Sequence, residues 1–166
     1  MQNISADANL EPFPHIVFHN FYTDEELDLI WEELKFYTKP NKLFDVEDYM
    51  GVVGYTKAKA LHLDSVYTGK NRVLSNILEV SRKVFDKQIL EPFCNLHGSC
   101  SVADQSNYDI TKVRYYHNGD FYKPHKDLSF DFLAFSYFYK EPKKFEGGNL
   151  IFPKYNYEFN CEHNSL

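Results

Sequence analysis

The residues best suited to chemistry in this chain are a histidine and an aspartate two positions apart, His125 and Asp127. On extended backbone, side chains at i and i+2 point to the same side, so this imidazole and this carboxylate can bind one ion. Imidazole and carboxylate ligands on one face, with open coordination positions beside them, suit non-haem Fe(II). The spacing therefore predicts that His125 and Asp127 are two ligands of an iron site.

The same His-x-Asp pattern occurs again at His62 and Asp64, so the pattern alone is weak. The two pairs differ in what precedes them. Asn118-Gly-Asp120 can form a turn ahead of the later pair, and Pro124 restricts the backbone before His125. No glycine-containing turn leads into the earlier pair. We therefore expect His62 and Asp64 to form a surface-facing strand or loop element.

The segment from Tyr116 to Asp127, Tyr-His-Asn-Gly-Asp-Phe-Tyr-Lys-Pro-His-Lys-Asp, resembles the prolyl 4-hydroxylase-like branch of the Fe(II)- and 2-oxoglutarate-dependent oxygenases. Downstream, Phe-Glu-Gly-Gly-Asn-Leu-Ile-Phe-Pro at 145–153 is similar to the Gly-Gly turn and following strand of that family. The residues from Pro12 to Phe18 also resemble its N-terminal region. The resemblance covers most of the chain and is specific from about Tyr115 to Pro153.

The resemblance implies a role for each matching residue. His125 and Asp127 would bind Fe(II), Tyr116 would contact the co-substrate 2-oxoglutarate, and Tyr122 would line the reaction pocket. Tyr137 is a further candidate for the far carboxylate of the co-substrate. The implied activity is hydroxylation of a peptidyl side chain, proline first, with O2 consumed and with ascorbate left open as a further cofactor. Each tyrosine could instead be a core residue with a satisfied hydroxyl.

The chain departs from the family pattern near its C-terminus. The resemblance implies a distal histidine that completes the iron triad, and then an Arg or Lys that pairs with 2-oxoglutarate. His163 is the one histidine after Asp127 and falls too early, while no arginine follows Arg114 and Lys154 is poorly spaced. We therefore expect a truncated or fragmentary member whose last strands lie beyond residue 166.

Two other kinds of function stay open from the sequence. One is a catalytically incomplete jelly-roll binding module, or a fragment, lacking the distal histidine and the 2-oxoglutarate-binding Arg or Lys. The other is a zinc hydrolase that uses His62, Asp64 and His125. No motif places an activating glutamate for the second alternative.

The two clearest helical patterns precede the residues with candidate chemistry. Thr23 to Tyr37 predicts an amphipathic helix, because apolar residues recur at helical spacing opposite charged ones. A second helix is predicted from about Arg72 to Lys87, and residues 41–70 carry no clear pattern. The apolar stripes comprise Leu27, Ile30, Trp31 and Leu34 in the first helix, and Leu74, Ile77, Leu78, Val84 and Phe85 in the second.

Strand patterns dominate the later part of the chain, where alternation replaces helical spacing. Gly147 and Gly148 are expected to allow positive φ or a tight turn ahead of one of these strands. We therefore predict one α+β domain over residues 1–166, with a helical support region at about 1–106 packed on a jelly-roll (double-stranded β-helix) core at about 107–166. Strands are predicted at 16–18, 111–116, 132–139, 149–152 and 155–162.

Composition limits the partners and the location. The net charge of −6 argues against nucleic-acid binding, and the lysines of the last third are interpreted as solvated. The three cysteines show no zinc or redox spacing, and the start carries no signal-like apolar run. These features predict a soluble cytoplasmic protein that does not contact a membrane.

Overall fold

The computed structural model describes residues 4–46, 54–106, 108–127 and 130–166. The chain divides into two compact units. Helices and small antiparallel sheets make up both. The prediction of one domain stays a prediction. The first unit comprises Met1–Thr23, Lys83–Asn107 and Lys126–Leu166, and the second comprises Asp24–Arg82 and Tyr108–His125.

The first unit begins with an antiparallel hairpin of β1, Ser5–Asn9, and β2, His15–His19. The predicted strand at 16–18 is confirmed within β2, whereas β1 was not predicted, since its polar sequence has no strand pattern. The other edge of β2 pairs with the C-terminal segment. The Phe18 N–H donates to the Leu166 carbonyl at 2.9 Å, and the reverse bond measures 3.0 Å.

The predicted second helix is interrupted. Instead of one helix at 72–87 there are short 3-10 and α segments, because the backbone is extended at Ser75 and again at Asp86. Leu74 of the predicted stripe is 70 % exposed, while Ile77 and Leu78 are buried. The observed segments are the 3-10 helix Gly69–Leu74, α3 at Asn76–Ser81, the 3-10 helix Arg82–Phe85, α4 at Lys87–Leu96 and the 3-10 helix Gly98–Gln105.

The second unit starts with α1, Asp24–Tyr37, which confirms the first predicted helix. Glu33 on α1 joins it to α3 within the same unit. One carboxylate oxygen accepts a hydrogen bond from the Ser75 hydroxyl at 2.8 Å, and the other accepts one from the Ile77 backbone N–H at 2.8 Å. The Glu33 carboxylate therefore supplies acceptors for the N-terminus of α3, where backbone donors have no partner inside the helix.

Two small antiparallel sheets complete the second unit. One sheet has the order β3–β5–β6 and the other pairs β4 with β7. The predicted strand at 111–116 is confirmed as β6, and Leu61 and Val113 face each other across β5 and β6 as buried partners. A short helix α2, Leu63–Val66, follows β5. The strands are β3 at Phe44–Asp45, β4 at Thr56–Lys57, β5 at Lys59–His62, β6 at Lys112–Tyr115 and β7 at Phe121–Tyr122.

The first unit also contains a second hairpin, formed by β8, Leu150–Phe152, and β9, Tyr157–Phe159. The prediction at 149–152 is confirmed, and the alternating exposure predicted for 155–162 holds in β9. The 3-10 helix Pro153–Tyr155 takes up the start of the last predicted strand. Gly147 and Gly148 have φ of +78° and +81°, as predicted.

The strand predicted at 132–139 is not formed, and that prediction is wrong. Tyr137 is joined to the C-terminal segment by the Asn164 N–H, which donates to its carbonyl at 3.0 Å. The Tyr139 N–H donates to Nδ1 of His163 at 3.3 Å. An imidazole in place of a carbonyl acceptor interrupts the regular alternation of a β-ladder.

The described strands form sheets of two or three strands, which neither support nor contradict a jelly roll. The jelly roll therefore stays a prediction. The described helices and antiparallel strands are of the kinds that an α+β domain contains. No helix among the described residues is long and apolar enough to cross a membrane.

Candidate functional site

The candidate ligand segment is positioned by a tight turn after β6. Gly119 adopts φ of +79°, a conformation that glycine reaches without steric cost. The Asp120 N–H donates to the His117 carbonyl at 3.0 Å, and the His117 N–H donates to the Asp120 carboxylate at 2.8 Å. The turn predicted at 118–120 is therefore confirmed.

The Asp120 carboxylate has a structural task in this turn. Its side chain is 5 % exposed and lies 3.3 Å from the Lys57 ammonium and 3.4 Å from Nδ1 of His117. Burial raises the pKa of the carboxyl, but the His117 backbone N–H and the Lys57 charge outweigh burial and hold the pKa below its usual value. Asp120 is therefore ionised, and its ion pair with Lys57 connects the turn to β4.

The residues just before His125 are fixed by Tyr55, which precedes β4. The Lys123 N–H donates to the Tyr55 carbonyl at 3.0 Å, which extends the pairing of β4 with β7. The Tyr55 hydroxyl donates to the Pro124 carbonyl at 2.6 Å. These two hydrogen bonds fix the backbone at Lys123 and Pro124, directly before His125.

The His125 side chain is exposed, and a neighbouring backbone carbonyl determines which ring nitrogen carries the proton. Nδ1 lies 3.0 Å from the Lys123 carbonyl, which can only accept a hydrogen bond. In the neutral ring the proton is therefore on Nδ1 and the lone pair is on Nε2. A histidine that donates through one nitrogen to a carbonyl is the usual arrangement for metal ligation through the other.

Three of the residues predicted for the site lie together in the second unit. The Tyr122 ring stacks on the His125 ring at 4.0 Å between centroids and 21° between planes. The Arg114 guanidinium lies 4.2 Å from the centre of the same tyrosine ring, and it donates to the Tyr116 hydroxyl at 3.4 Å. We call Arg114, Tyr116, Tyr122 and His125 the arginine–tyrosine cluster.

Sequence reasoning missed Arg114 as a member of this cluster. Arg114 lies in β6 and Tyr116 directly follows that strand, so strand alternation could have placed the two side chains on one side. The contact with Tyr122 comes from tertiary structure, because β6 and β7 belong to different sheets.

Two other predicted site residues belong to the first unit. Asp127 is exposed, and Tyr137 is half-buried with its backbone bound to Asn164. Their predicted roles toward iron and the co-substrate stay predictions.

His163, the one histidine after Asp127, has the opposite tautomer to His125. Its Nδ1 accepts a hydrogen bond from the Tyr139 N–H, so in the neutral ring the proton lies on Nε2. Burial lowers the pKa of His163, and the nearby Glu141 opposes this effect. Neither nitrogen offers a lone pair to a metal unless the bond to Tyr139 is broken.

The second His-x-Asp pair has a different role from the one expected. Asp64 is not surface-facing: its side chain is 11 % exposed, it pairs with Arg72, and it accepts the Thr111 N–H at 2.6 Å. Burial, Lys112 and Arg114 lower the pKa of His62. Both carboxylate oxygens are committed to protein donors, and cations surround the imidazole, so this pair is poorly suited to a zinc site.

The fit to iron is partial. His125 has the right ligand type and tautomer, and Asp127 has the right type. Among the described residues, no three His, Cys, Asp or Glu side chains are grouped closely enough to hold a metal ion. A complete three-ligand set is therefore not assembled within the part of the chain that the structure describes.

Comparison of the chain with protein-family models gave no match, and comparisons with curated proteins and with solved structures gave none either.

Proposed function

We propose that this chain is an Fe(II)- and 2-oxoglutarate-dependent oxygenase domain that hydroxylates a side chain of a peptide or protein. The observation that carries the proposal is the His125 imidazole, whose Nδ1 donates to the Lys123 carbonyl and whose ring stacks on Tyr122. This arrangement supports metal ligation through Nε2 beside the tyrosines that the family resemblance assigns to the co-substrate and the pocket. Bound Fe(II) would supply O2 activation.

The residues of the chain would orient the reactants. The stack with Tyr122 restrains rotation of the His125 ring, so its lone pair keeps one direction. The Tyr116 hydroxyl accepts from Arg114 and still has its own proton to donate to a carboxylate of 2-oxoglutarate. Such positioning lowers the entropy cost of bringing reactants together.

The exposure of the cluster supports a macromolecular substrate. Tyr116 is 45 % exposed, and His125 is also on the surface. A side chain presented by a peptide could reach this surface without a deep cavity. Proline is the first substrate to test, because the branch that the sequence resembles modifies prolyl residues.

The direct test is release of succinate from 2-oxoglutarate by the full chain with Fe(II), O2 and a proline-containing peptide. His125→Ala is expected to lower the rate at least about 100-fold, since even loss of an outer-shell partner of a metal ligand commonly costs 10–100-fold. His62→Ala, in the other His-x-Asp pair, is the matched control and should leave the rate nearly unchanged. Equal losses in the two variants would contradict the proposed site.

A second candidate is a non-catalytic binding module with the same ancestry. The observation in its favour is that the described residues assemble no three-ligand metal group. Titration with Mn(II), followed by its electron paramagnetic resonance signal, separates the two functions. If the chain is an oxygenase, it binds Mn(II), and this binding is lost in both His125→Ala and Asp127→Ala. If it is a binding module, it binds the peptide without binding metal and without releasing succinate.

A further inference from the structure

Arg114 differs from the other two arginines of the chain in its electrostatic partners. Arg72 pairs with Asp64 and lies 2.7 Å from Asp109, and Arg82 lies 3.2 Å from Asp109. No carboxylate among the residues that the structure describes lies within ion-pairing distance of Arg114. Arg114 is half-buried, and a guanidinium without an anionic partner can pair with an anion from outside the chain.

The contacts of Arg114 leave its hydrogen-bonding edge largely unused. The guanidinium carbon is 4.2 Å from the centre of the Tyr122 ring, and a contact with an aromatic ring does not consume the in-plane N–H groups. Its hydrogen bond to the Tyr116 hydroxyl is long, at 3.4 Å. Arg114 therefore retains the planar fork of donors that matches a carboxylate.

The neighbouring sheet face adds positive charge. Lys112 is two residues from Arg114 on β6, so both side chains lie on one face. His62 is directly opposite Lys112, and Ala60 is directly opposite Arg114. The small alanine side chain leaves room beside the guanidinium. Like charges on a half-buried face repel one another, and a bound anion would relieve that repulsion.

From these contacts we infer that Arg114 and the Tyr116 hydroxyl bind the carboxylate of a small dicarboxylic acid. With the ligand taken as 2-oxoglutarate the inference rests on the proposed function, and the group bound is the carboxylate far from the metal. This assignment differs from the family pattern, which places the cation downstream of the iron ligands. Here the cation comes from the strand that precedes them.

Glutarate tests the inference separately from iron chemistry, because it carries both carboxylates but lacks the keto group needed to chelate a metal. The full chain, without added metal, is titrated with glutarate and followed by ligand-observed NMR. Arg114→Gln is expected to weaken binding at least about tenfold, the loss that removal of a charged hydrogen bond implies. Arg114→Lys, which keeps the charge but loses the fork, should fall between Arg114→Gln and the unmodified chain.

Lys87→Gln is the control for loss of one positive charge, because Lys87 lies in the first unit with a side chain that is 85 % exposed. It should bind glutarate like the unmodified chain. Equal binding by Arg114→Gln and the unmodified chain, an equal loss in Lys87→Gln, or no glutarate binding at all would overturn the inference. Thermal melts of each variant show whether it is folded at the titration temperature.

The two proposals fail in different ways. Arg114-dependent glutarate binding without succinate release would leave the carboxylate site standing and contradict the oxygenase. Succinate release that needs His125 but is unchanged in Arg114→Gln would support the oxygenase and overturn the role of Arg114.

Discussion

The aspartates of the two His-x-Asp pairs provide a matched pair of substitutions, Asp64→Ala and Asp127→Ala. Asp64 is mostly buried, with one oxygen on Arg72 and the other 2.6 Å from the Thr111 N–H, whereas Asp127 is exposed. The same chemical change is therefore expected to affect folding at one position and metal binding at the other.

The magnitude for Asp64→Ala follows from the partners that remain. Arg72 keeps its pair with Asp109 at 2.7 Å, so its charge is not left alone. The Thr111 N–H loses its acceptor, and one charged pair is removed. Together these losses lower the free energy of unfolding by about 3 kcal/mol. For a chain of this size that loss corresponds to a decrease in Tm of about 6–12 °C.

The assay combines thermal melts with the Mn(II) titration. Asp127→Ala is expected to change the free energy of unfolding by about 0.5 kcal/mol or less, because its side chain is exposed. It should nevertheless abolish Mn(II) binding. The reasoning is refuted if Asp64→Ala melts like the unmodified chain, or if Asp64→Ala rather than Asp127→Ala loses the metal.

Two further predictions concern stability within each unit. Glu33→Ala removes the acceptor of both the Ser75 hydroxyl and the Ile77 N–H, each at 2.8 Å, and should lower the free energy of unfolding by about 2–3 kcal/mol in urea titrations. A loss below about 0.5 kcal/mol would contradict this role. The hydrogen bond to Glu162 is the largest cause that raises the pKa of His19 above 6.5. The stabilisation by His19 is therefore complete below pH 6.5 and is lost as the pH rises through the pKa of the folded state. His19→Gln should remove this part of the pH dependence of unfolding, and identical pH profiles for the two proteins would exclude it.

The sequence by itself determined the features that depend on neighbouring residues. The helix Asp24–Tyr37 follows from apolar residues at helical spacing. The turn at 118–120 and the positive φ of Gly147 follow from residue types that tolerate these conformations. In these cases the decisive interactions lie within a few residues, so local pattern was sufficient.

Local pattern failed where a single residue redirected the chain. The apolar spacing from Arg72 to Lys87 fits one helix, but Ser75 takes extended backbone and its hydroxyl accepts from the Leu78 N–H at 3.1 Å. Serine competes for backbone donors in this way and so favours helix caps over helix interiors. The competing bond, supported by Glu33 from α1, interrupted the predicted helix.

The tertiary structure alone decided which chemical groups meet. Asp64 and Thr111 are 47 residues apart, yet their hydrogen bond gives Asp64 a structural task. Arg114 and Tyr122 lie on strands of different sheets and still come within 4.2 Å. Such contacts depend on the three-dimensional course of the backbone, which spacing along the chain does not encode. The candidate ligands could therefore be named from the sequence, while the arginine beside them required the fold.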